Sequence, residues 1–271
     1  MTKLSENLQR VNNRVNKYLI KPNAKQIHDV RTSIRRLDAT FSTLPKKYRN
    51  ESPLSKYVLQ CKELFKINSE IRDFDIIYEK LQKYPSSSHR DSIIEALKKI
   101  RKVRLERAKT IAVPLKSTDI ATILDEIGVT EKELQKRYNK IVSRLICIIE
   151  STFPVVLSNP LALKELHDLR ITCKKLRYML ELLPDENKLA IQTRKSLQKI
   201  QDNLGFIHDS DFTISYLRSL PQSSKEIQEI IDKENDHRRL QFERFLNYSK
   251  RHLKISPDSF LFKIRSFKLF T

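Results

Sequence analysis

The sequence predicts an all-helical protein, and three observations carry that prediction. The chain has two glycines in 271 residues, whereas glycine makes up about 7% of an average protein and β-sheets need it for tight turns. Apolar residues recur every three or four positions through most of the chain, which is typical of helices with one buried face. Prolines stand where these periodic segments end, as expected of helix boundaries.

The first part of the chain contains four predicted helices, at about residues 3–19, 24–44, 53–81 and 92–111. The second of them has the clearest pattern, because one apolar stripe runs along its whole length and Pro45 ends it. The stripe consists of Ile27, Val30, Ile34, Leu37, Phe41 and Leu44. This segment is therefore expected to bury one face in a core.

The second part of the chain has the same organisation. Thr130 and Glu133 have the spacing of a capping box and predict the start of a helix. Four helices are predicted at about residues 132–152, 161–183, 186–220 and 223–253. The second of these carries an apolar stripe formed by Leu166, Leu169, Cys173, Leu176, Leu180 and Leu183, and Pro184 follows it. The predicted domains are a first half at residues 1–115, a linker at 116–129, a second half at 130–253 and a C-terminal tail at 254–271.

The composition predicts a polyanionic partner and a cytoplasmic location. Lys and Arg number 53 against 33 acidic residues, a formal net charge of +20, which attracts nucleic acid, acidic membrane surfaces or polyphosphate alike. Cys61, Cys147 and Cys173 form no C-x-x-C pair, so we expect neither a disulfide framework nor a zinc site. The first residues lack an apolar signal core, and the most apolar run, residues 145–157, is interrupted by a glutamate and a proline. We therefore expect no membrane insertion.

Three motifs occur twice, in the same order and at nearly constant spacing. The matching pairs are residues 27–37 (IHDVRTSIRRL) with 166–176 (LHDLRITCKKL), 71–75 (IRDFD) with 207–211 (IHDSD), and Arg101 with Arg238. Their spacings are 139, 136 and 137 residues. The chain is therefore predicted to contain two copies of a unit of about four helices.

Each copy of the first motif places three basic side chains on one face of a helix, since they are separated by three and four residues. Each follows an apolar residue directly, which puts it about 100° from the buried stripe, at the edge of the core. Arginine binds phosphate through two parallel hydrogen bonds, and a protonated histidine donates from both ring nitrogens. The alternative is an ordinary solvated face, but the duplication favours anion binding. The residues are His28, Arg31 and Arg35 in the first copy, and His167, Arg170 and Lys174 in the second.

These motifs resemble those of the CHAD family, the conserved histidine α-helical domain, which carries H-x-x-R-x-x-x-R-R patterns in both halves. The resemblance covers about residues 3–253. It implies two pseudo-symmetric four-helix bundles with a basic central cavity that binds inorganic polyphosphate, without catalysis, cofactor or metal. No E-x-E-x-K signature of the CYTH triphosphatase domain occurs, so a stand-alone member is expected. The binding residues implied are His28, Arg31, Arg35, Arg36, His167, Arg170, Lys174, Lys175 and Arg177, and the third match adds Arg101 and Arg238.

The chain departs from the family pattern at four positions. Lys174 and Lys175 stand where arginines are usual, Asp38 stands where a basic residue is common, and His208 replaces an arginine. Lysine keeps the charge but loses the bidentate geometry. The aspartates of the second motif are open to two interpretations, metal ligands beside phosphate or partners of neighbouring arginines, and we favour the second. They are Asp73, Asp75, Asp209 and Asp211.

Two other functions are considered. Three His-Asp dipeptides suggest a metal-dependent phosphohydrolase of the HD type, but adjacent side chains on a helix point about 100° apart, and the additional ligands of such a site are missing. The charge also suits a nucleic-acid-binding protein, yet Trp is absent and most Phe and Tyr lie in apolar stripes, not interleaved with cations. Nucleic acid is therefore expected only as a non-specific competitor. Sulfate or phosphate should occupy the same site in crystals, and association with polyphosphate granules in the cytoplasm stays open.

Overall fold

The fold is described from a computed structural model, which describes residues 2–125, 127–184, 186–221 and 224–252. Helix makes up 86% of the structure, and the described residues contain no β-strand. The prediction of an all-α fold is confirmed. The predicted tail at residues 254–271 lies outside the described residues.

The described residues form ten helices. They are α1 (Thr2–Ile20), α2 (Ala24–Thr43), α3 (Lys46–Arg49), α4 (Pro53–Leu81), α5 (Ser88–Lys116), α6 (Ile120–Asp125), α7 (Glu131–Ser158), α8 (Leu163–Leu180), α9 (Lys188–Arg218) and α10 (Lys225–His252). Eight of them match the predicted helices to within a few residues at most ends. The short helices α3 and α6 are not predicted, and α6 lies inside the segment predicted as a linker, residues 116–129.

Two helices extend beyond their predicted ends, at about residues 111 and 152, and each contains a proline in the added part. Pro114 lies inside α5 and Pro154 inside α7. A proline removes its own N–H from the helical ladder, and its ring crowds the carbonyl four residues earlier. Both prolines lie in the last two turns of their helices, so only two and four helical residues follow them. The loss of one hydrogen bond near a helix end does not stop the helix there.

Side-chain caps fix several helix starts. The backbone N–H of Thr130 donates to the Glu133 carboxylate at 3.1 Å, and the N–H of Glu133 donates to the Thr130 hydroxyl at 3.3 Å. The predicted capping box is therefore confirmed. Asn23 and Asn187 cap α2 and α9 by accepting the backbone N–H three residues further on, each at 2.9 Å.

The described residues divide into two compact units. The first contains the residues up to Asp75 and those from Glu95 to Tyr138, and the second contains Ile76–Ile94 and the residues from Asn139 onwards. These units are discontinuous in sequence, whereas the predicted halves, residues 1–115 and 130–253, are continuous. Residues 76–94 belong by contact to the second unit because the end of α4 bonds to α9 and α10, as described below. The pseudo-symmetry of two bundles and the central cavity stay predictions.

The cores consist of the predicted apolar stripes. All six stripe residues of the Ala24–Leu44 segment are buried in the first unit, and all six of the 166–183 stripe are buried in the second. The three cysteines form no disulfide, and Cys61 and Cys173 are buried. One helix among the described residues, α7, is long and apolar enough to cross a membrane by length and composition. This is weak evidence, since core helices pass the same test, and the absence of membrane insertion stays a prediction.

Candidate functional site

The first basic face consists of His28, Arg31 and Arg35 on α2. Burial of the apolar stripe fixes the rotation of this helix and leaves the three side chains at the edge of the core. His28 is exposed, and the two arginines are half-buried. Within the first unit, the two arginines therefore lie beside the core, as predicted, and not on a fully solvated surface.

Phe65 of α4 supports both arginines of this face. The guanidinium carbon of Arg35 lies 4.8 Å from the centre of the Phe65 ring, and that of Arg31 lies 5.6 Å from it. These distances are within the range of cation–π attraction. Stacking occupies the flat side of a guanidinium and not the N–H groups at its edge, so it holds the two cations in place while they can still act as donors.

Arg72 brings the second motif of the first unit to this face. Burial lowers the pKa of His28, and Asp29 acts in the opposite direction. The positive charges of Arg31, Arg35 and Arg72 lower it further. Arg72 lies on α4 two turns after Phe65, which contacts Arg31 and Arg35, so the second motif is near the first basic face and the Arg72 charge acts on His28. A neutral His28 is expected near pH 7.

The second basic face consists of His167, Arg170 and Lys174 on α8. His167 is exposed, while Arg170 and Lys174 are half-buried. A Cβ added to Gly205 of α9 would lie 3.8 Å from Nε of Arg170, an ordinary van der Waals distance. Arg170 therefore lies directly against the backbone of α9, which has no side chain at this point.

His208 of α9 lies beside the second basic face. The centres of the His167 and His208 rings are 5.0 Å apart, and the centres of the His208 and Phe212 rings are 6.4 Å apart. Burial, which is the largest cause, and the charges of Arg170, His167 and Lys174 together lower the pKa of His208 to about 3. The imidazole is therefore neutral at physiological pH in the protein alone.

Two cations of the predicted binding set have carboxylate partners instead. Nε of Arg101 donates to Asp75 at 2.7 Å in the first unit, and Arg238 donates to Asp211 and, at 2.8 Å, to the carbonyl of Pro160 in the second. The two ion pairs join matching positions of the repeat. These hydrogen bonds tie α5 to α4 and α10 to α9, which gives Arg101 and Arg238 a structural role, and their part in ligand binding stays a prediction. They also support the structural interpretation of these two aspartates.

The remaining predicted residues lie at the margins of the faces. Arg36 is half-buried, and its carbonyl accepts from Thr40 at 3.0 Å. Lys175 is exposed. Arg177 donates to Glu181 at 3.0 Å and lies over the ring of the neighbouring tyrosine. Asp38 pairs with Lys62 of α4 at 2.8 Å, so this departure from the family pattern does not place its charge unopposed beside the first basic face.

Sequence reasoning did not include Phe65, Arg72 or His208 in the binding set. Phe65 and Arg72 are seven residues apart and therefore share one face of α4, which is a usable signal once Arg72 is suspected. His208 matches Arg72 in the repeat. Among the described residues, no group of three or more His, Cys, Asp and Glu side chains is placed to hold a metal ion. The absence of catalysis stays a prediction.

Comparison with known proteins gives the family. The sequence model of the CHAD domain matches residues 3–218. The crystal structure of the CHAD domain from the plant Ricinus communis superposes with a TM-score of 0.62 at 15% identity, over 91% of this chain and 88% of that chain. At this identity the likeness shows the fold alone. No curated protein matches the sequence. The chain belongs to the CHAD domain family.

Proposed function

We propose that the protein binds inorganic polyphosphate through its two basic faces and does not catalyse a reaction on it. The observation that carries the proposal is the recurrence, in both units, of a histidine, an arginine and a further cation on a half-buried helix face. Surface lysines on flexible stems lose side-chain entropy when they bind. Cations at the edge of a core are already restricted, so they bind a polyanion at a lower entropic cost.

The first basic face offers donors in a fixed arrangement. Arg31 and Arg35 share the Phe65 ring as a support, and successive phosphates along a polymer present oxygens that each guanidinium can bind with two parallel N–H groups. Arg72 adds a third arginine near His28. This face therefore suits directional binding of phosphate groups.

The second basic face has a different character. It carries one arginine and one lysine, and lysine acts as a compact point charge without the planar fork. His167 and His208 supply ring nitrogens in place of further guanidinium groups. We expect this face to hold a phosphate segment more by charge than by directional hydrogen bonds.

The function is tested by titration with polyphosphates of defined length, with RNA and heparin as competing polyanions. We expect submillimolar binding that weakens steeply as salt rises, because a polyanion releases counterions when cations neutralise it. Polyphosphate should outcompete RNA at equal phosphate concentration, and no orthophosphate should appear with Mg²⁺ or Mn²⁺. Equal affinity for RNA would instead favour a general polyanion binder, and metal-dependent release of phosphate would indicate an enzyme.

A further prediction separates ligand cations from structural ones. Arg101→Gln is expected to lower the free energy of unfolding by about 1–3 kcal/mol, because it leaves the buried Asp75 without its charged partner. Polyphosphate affinity should change by less than about threefold. Urea unfolding and a polyphosphate titration of the same variant provide both values. A large loss of affinity with unchanged stability would show that Arg101 binds the ligand.

A further inference from the structure

The second motif differs between the two units at a position that lies beside each basic face. It is Arg72 in the first unit and His208 in the second. Arg72 acts on His28, and the His208 ring lies 5.0 Å from His167. Building on the proposed function, we infer that His208 is a further phosphate-binding residue, and that it gains its positive charge only as the anion binds. The phosphate affinity of the second basic face then depends on pH through this residue, whereas the first basic face has a permanent cation at the matching position.

The surroundings of His208 keep it neutral without an anion. The His167 ring of α8 lies 5.0 Å from it, and the Phe212 ring lies beside it on α9. Arg170 lies against α9 at Gly205, one turn before His208, and the charges of Arg170 and Lys174 both act on the imidazole. A half-buried imidazole among cations loses hydration and meets repulsion if it is protonated, and both effects favour the neutral form. Its low pKa, about 3, agrees with this geometry.

Further charged groups lie on the helices around His208. They include Asp168 on α8, Asp209 and Asp211 on α9, Arg238 and Glu234 on α10, and Lys80 on α4. Asp211 pairs with Arg238, and Glu234 pairs with Lys80, so these four cancel in pairs. Asp168 raises the pKa of His167, and Asp209 adjoins His208 in sequence, yet the pKa of His208 stays low with both carboxylates present.

A bound phosphate segment reverses this balance. Its negative charge beside Arg170 and Lys174 offsets their repulsion and attracts a proton to His208, so the pKa of the imidazole rises on binding. A group whose pKa is higher in the complex than in the free protein takes up a proton on binding, and affinity then increases as pH falls below the pKa in the complex. At higher pH the histidine contributes no charge and this gain is absent.

At this position the second unit has a group that can titrate near neutral pH, and the first unit has an arginine. His28 and His167 occupy matching positions, and the pKa of each is lowered by burial and by nearby cations. Proton uptake by these two histidines is thus common to both units. We expect His208 to take up one additional proton in the second unit, because an arginine is charged throughout the physiological range and takes up none.

The test compares the wild-type chain with His208→Arg, which copies the first unit. Long-chain polyphosphate is the probe, because its internal phosphates stay ionised between pH 5.5 and 7.5. Calorimetry in buffers of different ionisation enthalpy counts the protons taken up on binding. We expect the wild type to take up about one proton more than the variant near pH 6. Between pH 7.5 and 5.5, the affinity of the wild type should also rise by a factor about ten times larger than that of the variant. The reason is that the uptake of one proton on binding changes the affinity tenfold for each pH unit.

A second measurement needs no substitution at His208. NMR titration of the imidazole resonances should show the pKa of His208 rising from about 3 to above 6 when polyphosphate is added. In the first unit, Arg72→His should increase the number of protons taken up on binding. Equal proton uptake by the wild type and His208→Arg, with an unmoved His208 titration, would overturn the inference while polyphosphate binding itself stands. Failure of both proteins to bind polyphosphate at any pH would overturn the proposed function and this inference with it.

Discussion

Charge reversal at four cations of the two basic faces should abolish polyphosphate binding and leave the helix content unchanged. The changes are Arg31→Glu, Arg35→Glu, Arg170→Glu and Lys174→Glu. Each removes a charge-assisted hydrogen bond, worth about 1.5–3 kcal/mol, and puts a repelling carboxylate in its place. The combined loss should exceed about 1,000-fold in affinity. Titration with long-chain polyphosphate measures the loss, and circular dichroism measures the helix content.

A matched control separates the two faces from the net charge of the chain. Lys99, Lys102, Lys195 and Lys199 are exposed on α5 and α9, and replacing these four by Glu lowers the formal net charge by the same amount. The polyphosphate affinity of the control should fall by less than about tenfold, mainly because the long-range attraction is weaker. An equal loss of affinity in both variants would show that binding depends on the overall charge of the chain. The two basic faces would then have no special role.

Breaking the buried ion pair between Lys80 and Glu234 should cause the largest loss of stability. Their side chains are 14% and 4% exposed in the second unit. Glu234 also accepts from the Ser210 hydroxyl at 3.0 Å and from Tyr84 at 3.1 Å, and Lys80 donates to Ser210 at 2.9 Å. Either Lys80→Met or Glu234→Leu leaves one charge buried alone, so each should cost about 3–5 kcal/mol.

The double variant tests whether the cost comes from the lone charge. Replacement of both partners by apolar residues removes the desolvation penalty as well, so Lys80→Met with Glu234→Leu should cost clearly less than the two single changes together. The exposed pair Lys98–Glu95, at 51% and 61% exposure, is the control and should be worth less than about 1 kcal/mol. Urea unfolding gives all four values. If the losses of stability were additive, or if each single change cost as little as the control, a lone buried charge would not be the cause of the cost.

The helices could be predicted because their signals are local. The stripe from Ile27 to Leu44 and the capping box of Thr130 and Glu133 lie within one helix each, and both are confirmed. The short helix α3 has no stripe to reveal it. The end of α7 was predicted too early, before Pro154, because the rule for proline describes helix interiors better than last turns. The contact units could not be predicted, since residues 76–94 join the second unit through bonds between distant positions.

The sequence by itself determined the helical fold, the repeat and the two triads of basic residues, because periodicity, turn chemistry and self-similarity need no partner in space. Only the tertiary structure decided which cations are engaged by carboxylates and which are supported at the edge of a core. Arg35 and Arg101 look alike in sequence, yet Arg35 stacks on Phe65 and Arg101 bonds to Asp75. The physical reason is that the state of a charge depends on what surrounds it, and for these residues the surroundings come from other helices.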